Sequence, residues 1–256
     1  MVRCPLSRIN RIRLARLFHD CPRVDISIDC ILNGQMGKAY ADNLLQPRAA
    51  MLQTGAFCYF GGDVTNADAR KMMQRFPDHT ILMPSTPGWY EVFKEIHQNR
   101  VIAMDRYQFD ATPLRADHLE HLLNASPHRE SILPIDEDMA GRMIEDGLLL
   151  ADLTEFETGS DFAARGIGYY IPSPMGVAAV AYSSLASNDA IEISIFVQPE
   201  LRRRGIATAL GSQLILTALQ EKRLPHWDAA NLPSRALAQK LGYRYTGLYR
   251  SLCLDS

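Results

Sequence analysis

The residues most able to do chemistry start with a run of cations. Arg202, Arg203 and Arg204 lead directly into Gly205, and beyond them Leu210, Leu214, Ala218 and Leu219 recur at helical spacing up to Lys222 and Arg223. Three arginines therefore stand at the start of a helix, where its dipole disfavours cations by roughly a few tenths of a kcal/mol each. An anion docked there relieves the conflict, because free N–H groups at a helix start bind phosphate and Gly205 has no Cβ to hold it off. A solvated basic helix start accounts for the same string, and these residues alone leave both readings open. Metal and disulfide chemistry have no comparable signal. The seven histidines are scattered without an HExxH, and five cysteines at 4, 21, 30, 58 and 253 form no CxxC. An odd number of cysteines with long gaps points to a reducing compartment.

A strand has to deliver the chain to that helix, and another has to follow it. Across 190–197, Glu192 and Ser194 alternate with Ile191, Ile193 and Ile195, which predicts a strand. Residues 224–229 read as a second strand. A helical stretch then opens at Asn231, an N-cap just ahead of Pro233. Upstream, 166–171 and 177–183 read as two strands, 117–123 and 136–144 as helices, 132–135 as strand-like, and 152–162 as helix or loop. Gly166-Ile167-Gly168 lacks the third glycine of a dinucleotide fingerprint and opens into strands, and no GxxxxGK[ST] occurs. A Rossmann domain is thereby disfavoured, and P-loop chemistry is excluded.

Arg202-x-x-Gly205-x-Ala207 fits the pyrophosphate pattern Q/R-x-x-G-x-G/A of the GNAT superfamily of acyl-CoA N-acyltransferases. Asn231 through Ser234 to Leu241-Gly242-Tyr243 resembles the superfamily's Asn-x-x-(small)…Leu-Gly-(Phe/Tyr) segment. Pro225-x-Trp227-Asp228, Ser234 and the Ala238-x-Lys240-Leu241-Gly242 ending are similar to its zwittermicin-resistance-like branch, as is the segment 55–63. The resemblance implies an acetyl-CoA-dependent N-acetyltransferase acting on a small-molecule amine, with an acyl-CoA held where two parallel strands splay apart. Backbone groups of Ile195, Phe196 and Val197 would pair with the pantetheine arm. Amides of Arg203, Arg204, Gly205, Ile206, Ala207 and Thr208 would cradle the pyrophosphate, and Asn231 and Ser234 would complete the cofactor site. Two bases compete: Glu192, on the strand that carries the acyl group, and His226, with Asp228 two residues on. Many members carry a tyrosine seven residues after the helix-start Asn to protonate the leaving thiolate. Here that position is Ala238, which leaves Tyr243, Tyr245, Ser234, water or unaided departure. The missing tyrosine also motivates the alternative of a non-catalytic acyl-CoA-binding sensor.

The 256 residues are 47% hydrophobic and 22% charged, with 27 Lys+Arg against 29 Asp+Glu. This is globular composition, and the length suits one large domain or two small ones. The expected fold class is α/β (α+β): an N-terminal α/β domain over 1–115 and a GNAT domain with a mixed, splayed sheet over 116–256. In the first part, helices are predicted near 9–18, 66–75 and 87–98, and strands at 38–42, 55–60, 80–83 and 100–109, with 24–32 as helix or strand. Gly61-Gly62-Asp63 reads as a turn in preference to a ligand loop. Arg3, Arg8, Arg11, Arg13 and Arg16 superficially suit a transit peptide, but Ile9, Ile12, Leu14, Leu17 and Phe18 favour a structural helix. The formal net charge of −2 gives no general attraction to nucleic acid or anionic membranes. The expectation is a cytoplasmic enzyme without a metal, a homodimer being open, that binds acetyl-CoA and an amine.

Overall fold

The computed structural model describes residues 1–149, 155–174 and 176–255. They divide into two compact units, Met1–Arg106 with Leu248–Ser256, and Tyr107–Gly247. The first unit runs β1 (Val2–Arg3), α1 (Arg8–Ala15), α2 (Ser27–Leu32), β2 (Lys38–Ala41), β3 (Ala49–Thr54), β4 (Phe57–Gly62), α3 (Ala67–Met73), β5 (Ile81–Leu82), α4 (Pro87–His97) and the first half of β6 (Val101–Asp110). Its strands β1 to β4 pair in sequence as antiparallel neighbours, and β5 joins β4 in parallel.

Both faces of this sheet are covered. Leu14, Phe18, Ile28 and Ile31 lie against Ala39, Ala41, Leu52 and Tyr59 on one side. Met73, Trp89 and Phe93 lie against Met51, Cys58, Phe60 and Leu82 on the other. Burial on both faces removes the polar–apolar alternation that marks a half-exposed strand. The sequence pattern accordingly gives no sign of β3, whose residues are Ala-Ala-Met-Leu-Gln-Thr. Gly61 sits inside β4, and a Cβ there would come 2.4 Å from the Leu17 carbonyl oxygen. Asp63 closes the turn beyond it, its Oδ1 accepting from the Thr65 amide and hydroxyl and its Oδ2 from Arg48. Close backbone packing accounts for this segment without a ligand.

The second unit contains α5 (Ala116–Asn124), β7 (Leu133–Pro134), α6 (Glu137–Glu145), α7 (Gly159–Arg165), β8 (Gly168–Ser173), β9 (Gly176–Ala186), β10 (Ala190–Val197), α8 (Ile206–Gln220), β11 (Leu224–His226), β12 (Asp228–Ala229), α9 (Leu232–Leu241) and the start of β13 (Arg244–Leu254). Its five-stranded sheet has the order β11-β10-β9-β8-β7, antiparallel except for the parallel pair β10–β11. Helix α8 is buried along most of its length through Ala209, Leu210, Leu214, Ile215 and Ala218. It shares a core with Ile191 and Ile193 of β10 and with Leu119 and Leu123 of α5. Of the stretch expected at 152–162, residues 152–154 lie outside the described residues, and α7 begins at Gly159.

Two boundaries differ from the sequence-based division at 115/116. The first unit ends within β6, and it recovers residues 248–256, because Leu252 of β13 pairs with Leu82 of β5 and is buried with it. The strand expected over 224–229 is in fact two strands that break at Trp227. Gly61→Ala is expected to lower stability by roughly 1–3 kcal/mol through overpacking against Leu17. Urea unfolding would read this as a lower midpoint at unchanged slope.

Candidate functional site

The break at Trp227 makes the site. Strands β10 and β11 pair in register from Ala190↔Leu224 to Glu192↔His226, and the pairing stops there. Past Trp227 the chain leaves the five-stranded sheet, and Asp228 and Ala229 pair with Gln108 and Tyr107 of β6 instead. From Ile193 to Val197, β10 keeps β9 on one edge and has no strand on the other among the described residues. At the same point β9 and β10 slip by one residue between Glu192 and Ile193, leaving Ser184 unmatched. The Ser184 hydroxyl donates to the Glu192 carbonyl at 3.3 Å. The extra residue makes this a bulge in β9, a device that bends the bulged strand and raises the local twist where β10 and β11 part.

Glu192 and His226 face one another where the strands part. His226 Nδ1 lies 2.9 Å from Glu192 Oε2, with the two side chains only 15% and 12% exposed. The sequence sets these residues up as rival bases; the structure makes them one pair. Tyr243 stands beside it and donates its hydroxyl to the Pro225 carbonyl at 2.8 Å. Burial, and then the Glu192 charge, push its phenol well above the usual tyrosine range. Tyr243 therefore keeps its proton, and it fixes the carbonyl one residue before His226.

The helix start lies at the other end of the open edge. Gly205 is the N-cap of α8 with φ +86°, and the helix has no side-chain cap and no acid in its first turn. A Cβ at Gly205 would meet nothing within 4 Å, so the left-handed backbone, not packing, requires glycine. The amides of Ile206, Ala207 and Thr208 open a 15-residue helix without a carboxylate to satisfy them, which fits a docked phosphate. The arginines divide their work. Arg202 Nε donates to the Val197 carbonyl at 3.1 Å, and Arg204 Nη2 donates to the Glu200 carbonyl at 3.1 Å. Arg203 is exposed with φ +64°. His128, which the sequence gives no reason to single out, donates from Nε2 to the Arg204 carbonyl at 2.9 Å.

Among the other residues implied by the resemblance, Ile195 and Phe196 lie on the open stretch of β10, half-buried. Val197 is there too, its carbonyl held by Arg202. Asn231 is the N-cap of α9, its Oδ1 accepting from the Ser234 amide at 2.9 Å. Ser234 Oγ accepts from Trp227 Nε1 at 3.2 Å, tying α9 to the strand break. Ala238 is fully buried in the core. Among the described residues no group of three His, Cys, Asp or Glu side chains could hold a metal ion, and no helix is long and apolar enough to cross a membrane.

A mixed sheet whose parallel strands part beside an uncapped, glycine-led helix defines an acyltransferase fold of the GNAT type. The chain belongs to the GNAT acetyltransferase family, which it matches over residues 15–252. It is 25% identical over 219 residues to an uncharacterized N-acetyltransferase of Bacillus subtilis, YdfB, covering 81% of this chain and 82% of that one. Among solved structures it is similar to a GCN5-related N-acetyltransferase-like protein of Streptococcus suis. That match has a TM-score of 0.84 at 28% identity and covers 96% of this chain and 99% of the other. A GNAT-family acetyltransferase from Novosphingobium aromaticivorans shares the fold at a TM-score of 0.56 and 18% identity, over 93% and 99% of the two chains.

Asn231→Ala is expected to lower stability by about 1 kcal/mol, the cost of a lost N-cap, and Asn231→Asp to retain it. Thermal melts of the two variants side by side would check this.

Proposed function

We propose that the protein is an acetyl-CoA-dependent N-acetyltransferase acting on a small-molecule amine, and that it falls within the zwittermicin-resistance-like branch. The observation that carries the activity is the parting of β10 and β11: it sets a buried Glu192–His226 pair at one end of an open strand edge and the uncapped start of α8 at the other. Support for the branch comes from Pro225-x-Trp227-Asp228 and the Ala-x-Lys-Leu-Gly run ending at Gly242.

The acyl-CoA would supply a thioester already activated for attack. Backbone groups of β10 at Ile195, Phe196 and Val197 would hold its pantetheine arm as a neighbouring strand would. The first-turn amides of α8, with the exposed Arg203, would hold its phosphates. An amine attacks only as the free base, so the site must take a proton from the incoming ammonium. The Glu192–His226 pair, with imidazole and carboxylate 2.9 Å apart and largely shielded from solvent, is placed to take that proton. Tyr243 acts through Pro225, holding the strand that bears His226, and is a positioning residue. Its proton is committed to a carbonyl and Ala238 carries none, which leaves Ser234, Tyr245, water or unaided departure for the thiolate.

A non-catalytic acyl-CoA-binding module is the second reading, favoured by Ala238 at the position of the usual acid. The two separate in a single assay, release of CoA thiol over a panel of amines, where a sensor binds without turnover.

Calorimetric titration is expected to show acetyl-CoA binding to the intact protein, and Gly205→Glu to abolish it. Absence of binding, or binding unaffected by Gly205→Glu, rejects the proposal. His226→Ala and Glu192→Gln are each expected to lower kcat by about 10²- to 10⁴-fold with acetyl-CoA affinity retained.

A further inference from the structure

Arg235, in α9, is half-buried, yet its guanidinium makes no hydrogen bond and no ion pair among the described residues. It lies over two aromatic rings instead, 4.2 Å from the Tyr245 centroid and 5.3 Å from the Tyr107 centroid. Cation–π contacts of this kind hold the guanidinium in place without neutralising its charge. Other arginines of this unit do have carboxylates: Arg115 pairs with Asp117, Arg165 with Asp161 and Arg244 with Asp110.

A second observation comes from the neighbouring strand. Gly247 follows Tyr245 by two positions in β13 and so presents to the same face. Its φ is not positive, and a Cβ built on it would meet nothing within 4 Å. Neither backbone conformation nor packing asks for glycine here, and glycine inside a strand marks places where a ligand comes close.

We infer that Arg235, held over Tyr107 and Tyr245 on the strand face that Gly247 leaves open, is a subsite for a compact oxyanion, either a carboxylate or a phosphate monoester. The planar fork suits two-point contact with either. The subsite is linked to the candidate centre by a short covalent and hydrogen-bonded path. Ser234, next to Arg235, accepts from Trp227, and Trp227 follows His226. The inference rests on the acyl-CoA reading, which supplies two sources of such an anion: the phosphate monoester at the nucleotide end of CoA, and a carboxylate on the amine acceptor.

The test uses the full chain with Arg235→Met, Arg235→Lys and Gly247→Val, each checked for an unchanged melting profile. Titration with CoA and with 3′-dephospho-CoA forms one arm. CoA release from acetyl-CoA with paired amines, an amino acid and its decarboxylated counterpart, forms the other. If the phosphate is the ligand, Arg235→Met and Gly247→Val weaken CoA by about tenfold or more and leave dephospho-CoA unchanged. If the carboxylate is the ligand, both raise KM for the amino acid alone by a similar factor. Arg235→Lys restores only part in either case, because an ammonium cannot make the two-point contact. The inference is overturned if Arg235→Met still binds CoA normally and neither ratio moves. Failure of the unaltered protein to bind CoA in either form removes the acyl-CoA reading, and the subsite with it; that outcome is visible before any variant is made.

Discussion

The second unit is organised by a strand pair that cannot continue. Glu192 and His226 are the last residues in register between β10 and β11, and three contacts hold the chain to a different course afterwards. The indole of Trp227 is buried and donates to Ser234, Tyr243 anchors the Pro225 carbonyl, and Asp228 and Ala229 take β6 as their partner. The bulge at Ser184 of β9 falls at the same level. A strand edge with unpaired peptide groups is ordinarily a hazard, because it templates association with other chains. Here it is short, lies inside a folded unit and ends at a helix whose own first amides are unpaired. The same geometry that withholds a strand partner leaves peptide groups for an extended, polar ligand.

The electrostatics follow from this geometry. Cations at the start of α8 look unfavourable when only the helix dipole is considered. Two of the three guanidiniums are spent on nearby carbonyls, Arg202 on Val197 and Arg204 on Glu200, so they brace the turn between strand and helix as well as adding charge. His128 adds a further brace from a separate segment. The backbone there adopts left-handed conformations at Arg203 and Gly205, and these hydrogen bonds offset that strain.

Local signals in the sequence mark part of this arrangement, and long-range pairing sets the rest. The start of α8 could be read because glycine, arginines and an apolar helical period are all local signals. Asn231 was legible as an N-cap for the same reason. The pairing of Glu192 with His226 was not, because it is fixed by the parallel register of two strands separated by a helix and not by any spacing along the chain. The split of the 224–229 strand was equally hidden, since Leu-Pro-His-Trp-Asp-Ala carries no turn residue at the break, where the chain changes its pairing partner. In the first unit, two-sided burial erased the alternation that would have revealed β3. The bond from the Tyr243 hydroxyl to the Pro225 carbonyl is likewise invisible in the sequence, because it joins separate elements of the fold.

The return of the last strand to the first unit has a consequence for the order in which the protein can be made. Leu252 and Leu254 belong to the core that Trp89 and Phe93 build, although all of residues 107–247 precede them in the chain. Domains fold as units while synthesis proceeds from the N-terminus. The first unit to emerge from the ribosome must therefore wait, with one position of its sheet unfilled, while the second is completed before it. An exposed sheet edge persists through the translation of more than a hundred residues. Pausing, crowding or chaperone supply during that interval bears on the first unit far more than on the second.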